Sequence, residues 1–273
     1  MYELKNKVVL VTGAGSGIGK ALAKQLAAKG ARLALADWDE NGLAATAAEI
    51  GATTVSAKLD VADRAAFEAF AAQVIEQLGQ VDVIINNAGV ALLQTVQDMK
   101  YQDLEWLMNI NFWGVVHGTH AVLPQMLQRG SGYIVNISSL YGQIAWPGNS
   151  AYCAAKFAVR GYTEVMTQDL KGTGVRALSV HPGGIQTNIV RNARVDKAGV
   201  SKSSLAAGFD KIAMTSADSA AKQIIKAVEK QKVKLIIGQD AKFLDRVQRL
   251  MPFNYRWFVK WVDGQSDKVA NKA

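Results

Sequence analysis

Seven short apolar runs, each separated from the next by a longer stretch of helical character, limit this chain to a narrow set of folds. The runs are Lys7–Thr12, Arg32–Ala36, Thr53–Leu59, Val81–Ile85, Tyr133–Ser138, Val175–His181 and Val233–Ile237. Between them, Ile18–Lys29, Asp39–Ile50, Arg64–Leu78, Leu104–Gln128, Ala151–Leu170 and Ser216–Lys230 read as helices. In Arg64–Leu78 the apolar residues Ala66, Phe67, Phe70, Ala71, Val74 and Leu78 recur at helical spacing, with Gly79 to stop the helix. Strands that are apolar throughout belong to a parallel sheet covered on both faces. Right-handed crossovers then give an α/β, doubly wound, Rossmann-type sheet of about seven strands, with ligands beyond the carboxyl ends of the strands. The expected division is a dinucleotide-binding and catalytic domain over 1–240 and a basic, aromatic, helical extension over 241–273.

Composition narrows the function. At 273 residues and 49% hydrophobic, the chain supports one large core and is not disordered. No apolar run reaches the roughly 18 residues of a membrane span, and the start does not read as a signal peptide. The single cysteine excludes an internal disulfide and fits a reducing, cytoplasmic setting. Of the net charge of +8, residues 222–273 contribute 12 basic and 5 acidic groups, against 19 and 18 in residues 1–221. A nucleic-acid-binding face would spread its basic groups more widely, so no nucleic-acid partner is expected.

Chemistry-bearing residues gather where the strands end. Thr12–Gly19 reads TGAGSGIG between the first strand and the first helix. Its glycines, Gly13, Gly17 and Gly19 among them, let the backbone approach a pyrophosphate, and the helix N-terminus beside Ser16 and Ile18 adds N–H groups and partial positive charge. The spacing is not GxGxxG, so the strand–turn–helix context carries the dinucleotide reading. Asp37 ends the second strand. A carboxylate there accepts the hydroxyls of an adenosine ribose and repels a 2′-phosphate. Neither Ser16 nor Trp38 is basic, and the cofactor expected is NAD.

Tyr152 and Lys156 lie four apart on a helix and share a face. An ammonium near a phenol favours the phenolate, so the pair can exchange a proton with an alcohol while hydride moves to or from a nicotinamide. A Tyr-x3-Lys pair alone is weak. Ser139 thirteen residues earlier, Asn86-Asn87-Ala88-Gly89 after another strand, and Asn111 inside a helix make it specific.

With Pro182 to Thr187, these motifs resemble the classical short-chain dehydrogenase/reductase family over about residues 5–240. The resemblance implies Tyr152 as acid/base and Lys156 as the group that lowers its pKa and holds the nicotinamide ribose. It implies Ser139 on the substrate oxygen and Asn111 supporting a proton relay. Asp60 and Val61 would border the adenine and Asn87 the cofactor, with Pro182, Ile185 and Thr187 towards the carboxamide end. It also implies a homodimer or homotetramer. The activity expected is hydride transfer between NAD(H) and a small apolar secondary alcohol or ketone. The alternative is an NAD(H)-binding regulatory protein that recruits a partner or membrane through its tail.

Leu140–Asn149, with Tyr141, Ile144 and Trp146, and Asn188–Thr215 are the expected substrate-selecting segments. Cys153 reads as packing, and His117 and His120 as surface or interface residues with no metal. His181 is open between lining the pocket and a structural role. After Gly238, Phe243, Val247 and Leu250 keep helical spacing among Lys242, Arg246 and Arg249. Pro252 then precedes Phe253, Tyr255, Trp257, Phe258 and Trp261. This tail either packs on the body or a partner subunit, or lies peripherally on an anionic membrane.

Overall fold

Alternate residues of each central strand face opposite helical layers, which is why the strands read as unbroken apolar runs. In the computed structural model, residues 2–51, 54–195, 206–210, 213–257 and 259 are described. The strands are β1 (Val8–Thr12), β2 (Arg32–Asp37), β3 (Thr54–Lys58), β4 (Val83–Asn86), β5 (Gly132–Ile137), β6 (Val175–Pro182) and β7 (Lys234–Ile237). They form one sheet in the order β7-β6-β5-β4-β1-β2-β3, and every pairing is parallel. This is the doubly wound Rossmann-type sheet expected.

Val9, Val11, Val83 and Ile85 pack under α1 (Gly17–Ala28) and α7 (Ala217–Glu229). Val8, Leu10 and Ile84 pack under α3 (Arg64–Leu78) and α5 (Gly114–Arg129) on the other face. Each fully buried Leu or Ile contributes about 2 kcal/mol relative to exposure. Helix α2 (Glu40–Ile50) starts on Asp39, whose carboxylate accepts the Asn41 N–H, and α3 starts on Asp63, which caps Ala66.

The long helix expected at Leu104–Gln128 begins earlier and is interrupted. It comprises α4 (Tyr101–Met108), a π turn at Asn109–Trp113, and α5. The remaining helices are α6 (Ser150–Asp169) and α8 (Gln239–Leu250). Two-residue parallel ribbons, Leu92–Leu93 with Arg194–Val195 and Ile185–Gln186 with Thr215–Ser216, tie down the ends of the expected substrate loop. Residues 196–205 and 211–212 of that loop lie outside the described residues, as do Phe258, Trp261 and the rest of 260–273.

The boundary expected at 240/241 falls inside α8. This helix turns Ala241, Leu244 and Asp245 towards the body. The Phe243 and Leu250 positions of the apolar spacing seen in the sequence face outward, at 53% and 83% exposure. Small Ala241 allows the helix to approach the 140–144 segment closely, so the inner face is chosen by fit rather than by bulk. No helix among the described residues is long and apolar enough to cross a membrane.

Candidate active site

The strand order reverses between β1 and β4, and the loops after β1, β4, β5 and β6 converge at that edge. The turn after β1 is packed to contact. Gly13 has φ +67°, and a Cβ there would lie 2.8 Å from Asn87 Nδ2. A Cβ on Gly19 would lie 1.9 Å from the Gly13 carbonyl oxygen. Thr12 ties this turn to the loop after β4: its hydroxyl accepts the N–H of Asn87 and of Ala88, both at 3.0 Å. Asn87 returns its amide to the Thr12 carbonyl at 2.9 Å.

Asp37 reaches the glycine turn from β2. Its carboxylate accepts Gly15 N–H at 2.7 Å and Asp39 N–H at 2.8 Å, which fixes its orientation and leaves lone pairs for further donors. Ser16, before α1, makes no side-chain cap. The first-turn N–H groups of α1 therefore face the turn as donors. Thr187 closes the turn from the far side, 3.1 Å from where a Gly17 Cβ would be. Asp60 folds onto Ala62 N–H at 2.9 Å, and Val61 is buried beside it, with Gly114 against its side chain. First-turn backbone N–H groups at a glycine turn, with an oriented carboxylate for a ribose, fit a dinucleotide without a 2′-phosphate.

Tyr152 and Lys156 stand on one face of α6, with Lys156 Nζ 5.7 Å from the Tyr152 ring centroid. The Ser139 hydroxyl, after β5, stands close enough to the Tyr152 phenol to pull its pKa down, and it accepts Tyr141 N–H at 3.1 Å. Lys156 is 3% exposed and donates to the Ile137 carbonyl at 3.0 Å. Asn111 sits fully buried in the π turn, its amide paired both ways with the backbone of Val90 at 2.8 Å. A Cβ on Gly89 would be 3.2 Å from Asn111 Oδ1 and 3.5 Å from Lys156 Nζ, so glycine lets the two groups flank one narrow space.

Burial dominates the protonation of the pair. It pushes the Tyr152 phenol up to about 12, against the pull of Ser139, and brings Lys156 down to about 8. The phenol lowered by Lys156 that the sequence suggests is not seen in this geometry. Both groups have lost water, and the ammonium is turned to the Ile137 carbonyl.

The segment after Ser139 forms an apolar wall. Tyr141 stacks on Trp146 at 5.8 Å and meets Tyr152 edge-on at 6.1 Å. Ile144 turns inward instead, packing with Leu140 and Ala241. Cys153 is buried with its thiol pushed up by desolvation, as a packing residue would be. His117 stacks on Trp113 and hydrogen-bonds the Val61 carbonyl; no metal-holding cluster exists among the described residues.

A model of the short chain dehydrogenase family matches residues 7–198. The chain is a short-chain dehydrogenase/reductase. SadH of Mycobacterium tuberculosis is 45% identical over 265 residues, covering 95% of this chain and 96% of that protein. The D-threitol dehydrogenase of Mycolicibacterium smegmatis is 38% identical, covering 70% of this chain and 75% of that enzyme. A Burkholderia phymatum short-chain dehydrogenase solved in complex with NAD superposes with a TM-score of 0.85 at 28% identity, covering 92% and 95% of the two chains. Levodione reductase superposes at 0.76 with 28% identity, over 85% and 96%. The family makes this protein an oxidoreductase.

One support of the site escaped the sequence reading, and another was left open by it. Asp240, on α8, accepts Gly184 N–H at 2.7 Å and so holds the backbone after Pro182. His181 is fully buried and is structural rather than pocket-lining. Its Nδ1 donates to the Ser139 carbonyl at 3.1 Å, and its Nε2 accepts the Ser179 hydroxyl at 2.9 Å. Desolvation brings its pKa down to about 3. Below about 6.5 the unfolded chain takes up a proton that the folded chain refuses. This stability is therefore complete above about pH 6.5 and is lost as pH falls towards 3, by at most ~1.4 kcal/mol per pH unit. Melting curves of wild type and His181→Gln across that window check this. The variant is expected to show the shallower fall, and parallel falls contradict it.

Proposed function

We propose that this enzyme transfers hydride between NAD(H) and a small apolar secondary alcohol or ketone. The observation that carries this reading is the convergence of Ser139 and Tyr152 at the ends of β5 and α6, with Lys156 Nζ 5.7 Å from the Tyr152 ring and Gly89 and Asn111 beside it. Bound NAD(H) supplies or accepts the hydride. Tyr152 gives its proton to the carbonyl oxygen during reduction and takes it back during oxidation. Ser139 holds that oxygen by a hydrogen bond. Lys156 and Asn111, on either side of the space beside Gly89, support a relay water through which Tyr152 is reprotonated, and Lys156 would also hold the nicotinamide ribose. The apolar wall of Tyr141 and Trp146 supports an apolar substrate over a phosphosugar.

The cofactor is NAD; Gly13, Ser16, Gly17, Ile18 and Gly19 would hold its pyrophosphate and Asp37 its adenosine ribose. Asp60 and Val61 would border the adenine. Asn87, Pro182, Ile185 and Thr187 would border the nicotinamide half. Replacing Asp37→Ala together with Trp38→Arg should shift the ratio of kcat/KM values towards NADP by about tenfold or more, since repulsion is removed and a cation added. Lys58, 5.5 Å from the Trp38 ring, adds a second cation. A wild type that already prefers NADP would contradict the role of Asp37.

The protein acts in the cytoplasm as a homodimer or homotetramer. A second reading concerns the tail. Phe243, Leu250, Phe253 and Trp257 are exposed beside Arg246, Arg249 and Arg256, which favours peripheral contact of this face with an anionic membrane. Intact protein should then co-sediment with vesicles rich in phosphatidylserine and lose them as salt rises, at about 1 kcal/mol per basic residue near the surface. No sedimentation at low salt removes this reading and leaves the enzyme unaffected.

A further inference from the structure

The C-terminal extension touches the site on two sides. At its start, Asp240 holds Gly184 after β6. Beyond the end of α8 the chain folds back, and Tyr255 reaches the segment after β5. Its hydroxyl accepts the Ala145 N–H at 3.2 Å, across 110 residues of sequence. Its ring packs in one cluster with Leu140, Ile144, Ala241 and Leu244, together with Tyr141 and Trp146. Those last two rings are stacked, and Tyr141 meets the Tyr152 ring edge-on. A continuous chain of contacts therefore runs from the tail to the phenol, through the wall that a substrate's apolar part would meet.

The outer end of the wall has few other ties: the Cys153 thiol reaches the Ile144 carbonyl at 4.0 Å, and Asn149 bridges to Gln94. Ser139 and the short 3-10 turn Leu140–Gly142 fix where it begins, and Ser138 Oγ donates to the Lys156 carbonyl at 2.8 Å. Past Ile144, the Ala145 amide is anchored by Tyr255, and Pro147 and Gly148 follow before α6 begins. Loss of the Tyr255 hydroxyl frees one backbone donor. Loss of the ring opens space behind Leu140 and Ile144, and Tyr141 can then withdraw from Tyr152. A pocket that relaxes in this way becomes wider and less selective.

We propose that Tyr255 is a positioning residue for the substrate pocket: it clamps the 140–146 segment and so sets the size of apolar ketone that the site accepts. This rests on the reading of the site as an apolar alcohol/ketone dehydrogenase. It makes the tail a part of substrate selection, whatever its outer face contacts.

The test uses the full-length chain as wild type, Tyr255→Phe and Tyr255→Ala. Three quantities are measured: amide hydrogen exchange in the peptide holding Ala145, NADH affinity by fluorescence titration, and kcat and KM for a short acyclic and a bulky cyclic ketone. Tyr255→Phe should speed exchange at Ala145. Tyr255→Ala should change the bulky-to-small ratio of kcat/KM by about tenfold, mainly through KM. NADH affinity should stay within about twofold in both variants, because Tyr255 supports the substrate wall and not the glycine turn. If Tyr255→Ala does not fold, Tyr255→Phe decides alone, by exchange and by a smaller shift of the same ratio. Unchanged exchange and an unchanged ratio in a folded variant overturn the clamp. A wild type that turns over no ketone overturns the proposed activity instead, and the exchange measurement still decides whether Tyr255 holds the wall.

Discussion

Tyr152→Phe is expected to lower kcat by about 10²–10⁴-fold while NADH affinity stays within about twofold. The ring keeps its place against Tyr141 and above Lys156, so the pocket does not collapse. What disappears is the hydroxyl proposed to exchange a proton with the substrate oxygen. A general acid is worth this much because, without it, hydride reaches a carbonyl whose developing alkoxide has no proton to take up. Ser139 remains, but its hydroxyl also serves as acceptor for the Tyr141 N–H, and its own ordinary acidity is too low to replace a phenol. Steady-state rates with direct NADH titration separate the two effects. A kcat within about twofold of wild type would remove Tyr152 from the chemistry.

Gly19→Ala is the second large effect, and it falls on binding. The added methyl would sit 1.9 Å from the Gly13 carbonyl oxygen and 2.7 Å from Asn87 Nδ2. Neither neighbour can give way cheaply. Gly13 is backbone at positive φ, and Asn87 is held by Thr12 from two sides. The turn must open, and α1 then shifts away from the line along which its first N–H groups point. The expected result is a fall in NADH affinity of about tenfold or more, with about 1–3 kcal/mol of stability lost to overpacking. Isothermal titration and a denaturant melt measure both. An unaltered affinity would mean that the turn is not the pyrophosphate cradle.

The central strands were legible because they are buried on both sides and so carry unbroken apolar runs; Val8 to Val11 alternate between two helical layers and none of them faces water. The Tyr152–Lys156 pair was legible because helical spacing alone places the two side chains together. Other features depend on contacts distant in sequence, which local pattern does not encode. Asn111 stands in a π turn because its amide reaches Val90, 21 residues earlier. His181 has its role from Ser139, 42 residues away, and Asp240 from Gly184, 56 away. The tail is the clearest case. Its apolar spacing leaves open which way Phe243 and Leu250 face, and in the structure they point outward while Ala241 and Leu244 form the contact face. Burial likewise reverses the expected sign at Tyr152, because proximity to an ammonium is read from spacing while loss of water is not.

The central claim is tested most directly by incubating the intact protein with NADH, and in parallel NADPH, and a series of acyclic, cyclic and aromatic ketones of increasing size, following cofactor oxidation in wild type and Tyr152→Phe. Oxidation of NADH in preference to NADPH, dependent on an apolar ketone and nearly abolished in the variant, is the expected result. Turnover that is equal in the two proteins, or that appears only with charged or phosphorylated carbonyl compounds, would contradict it.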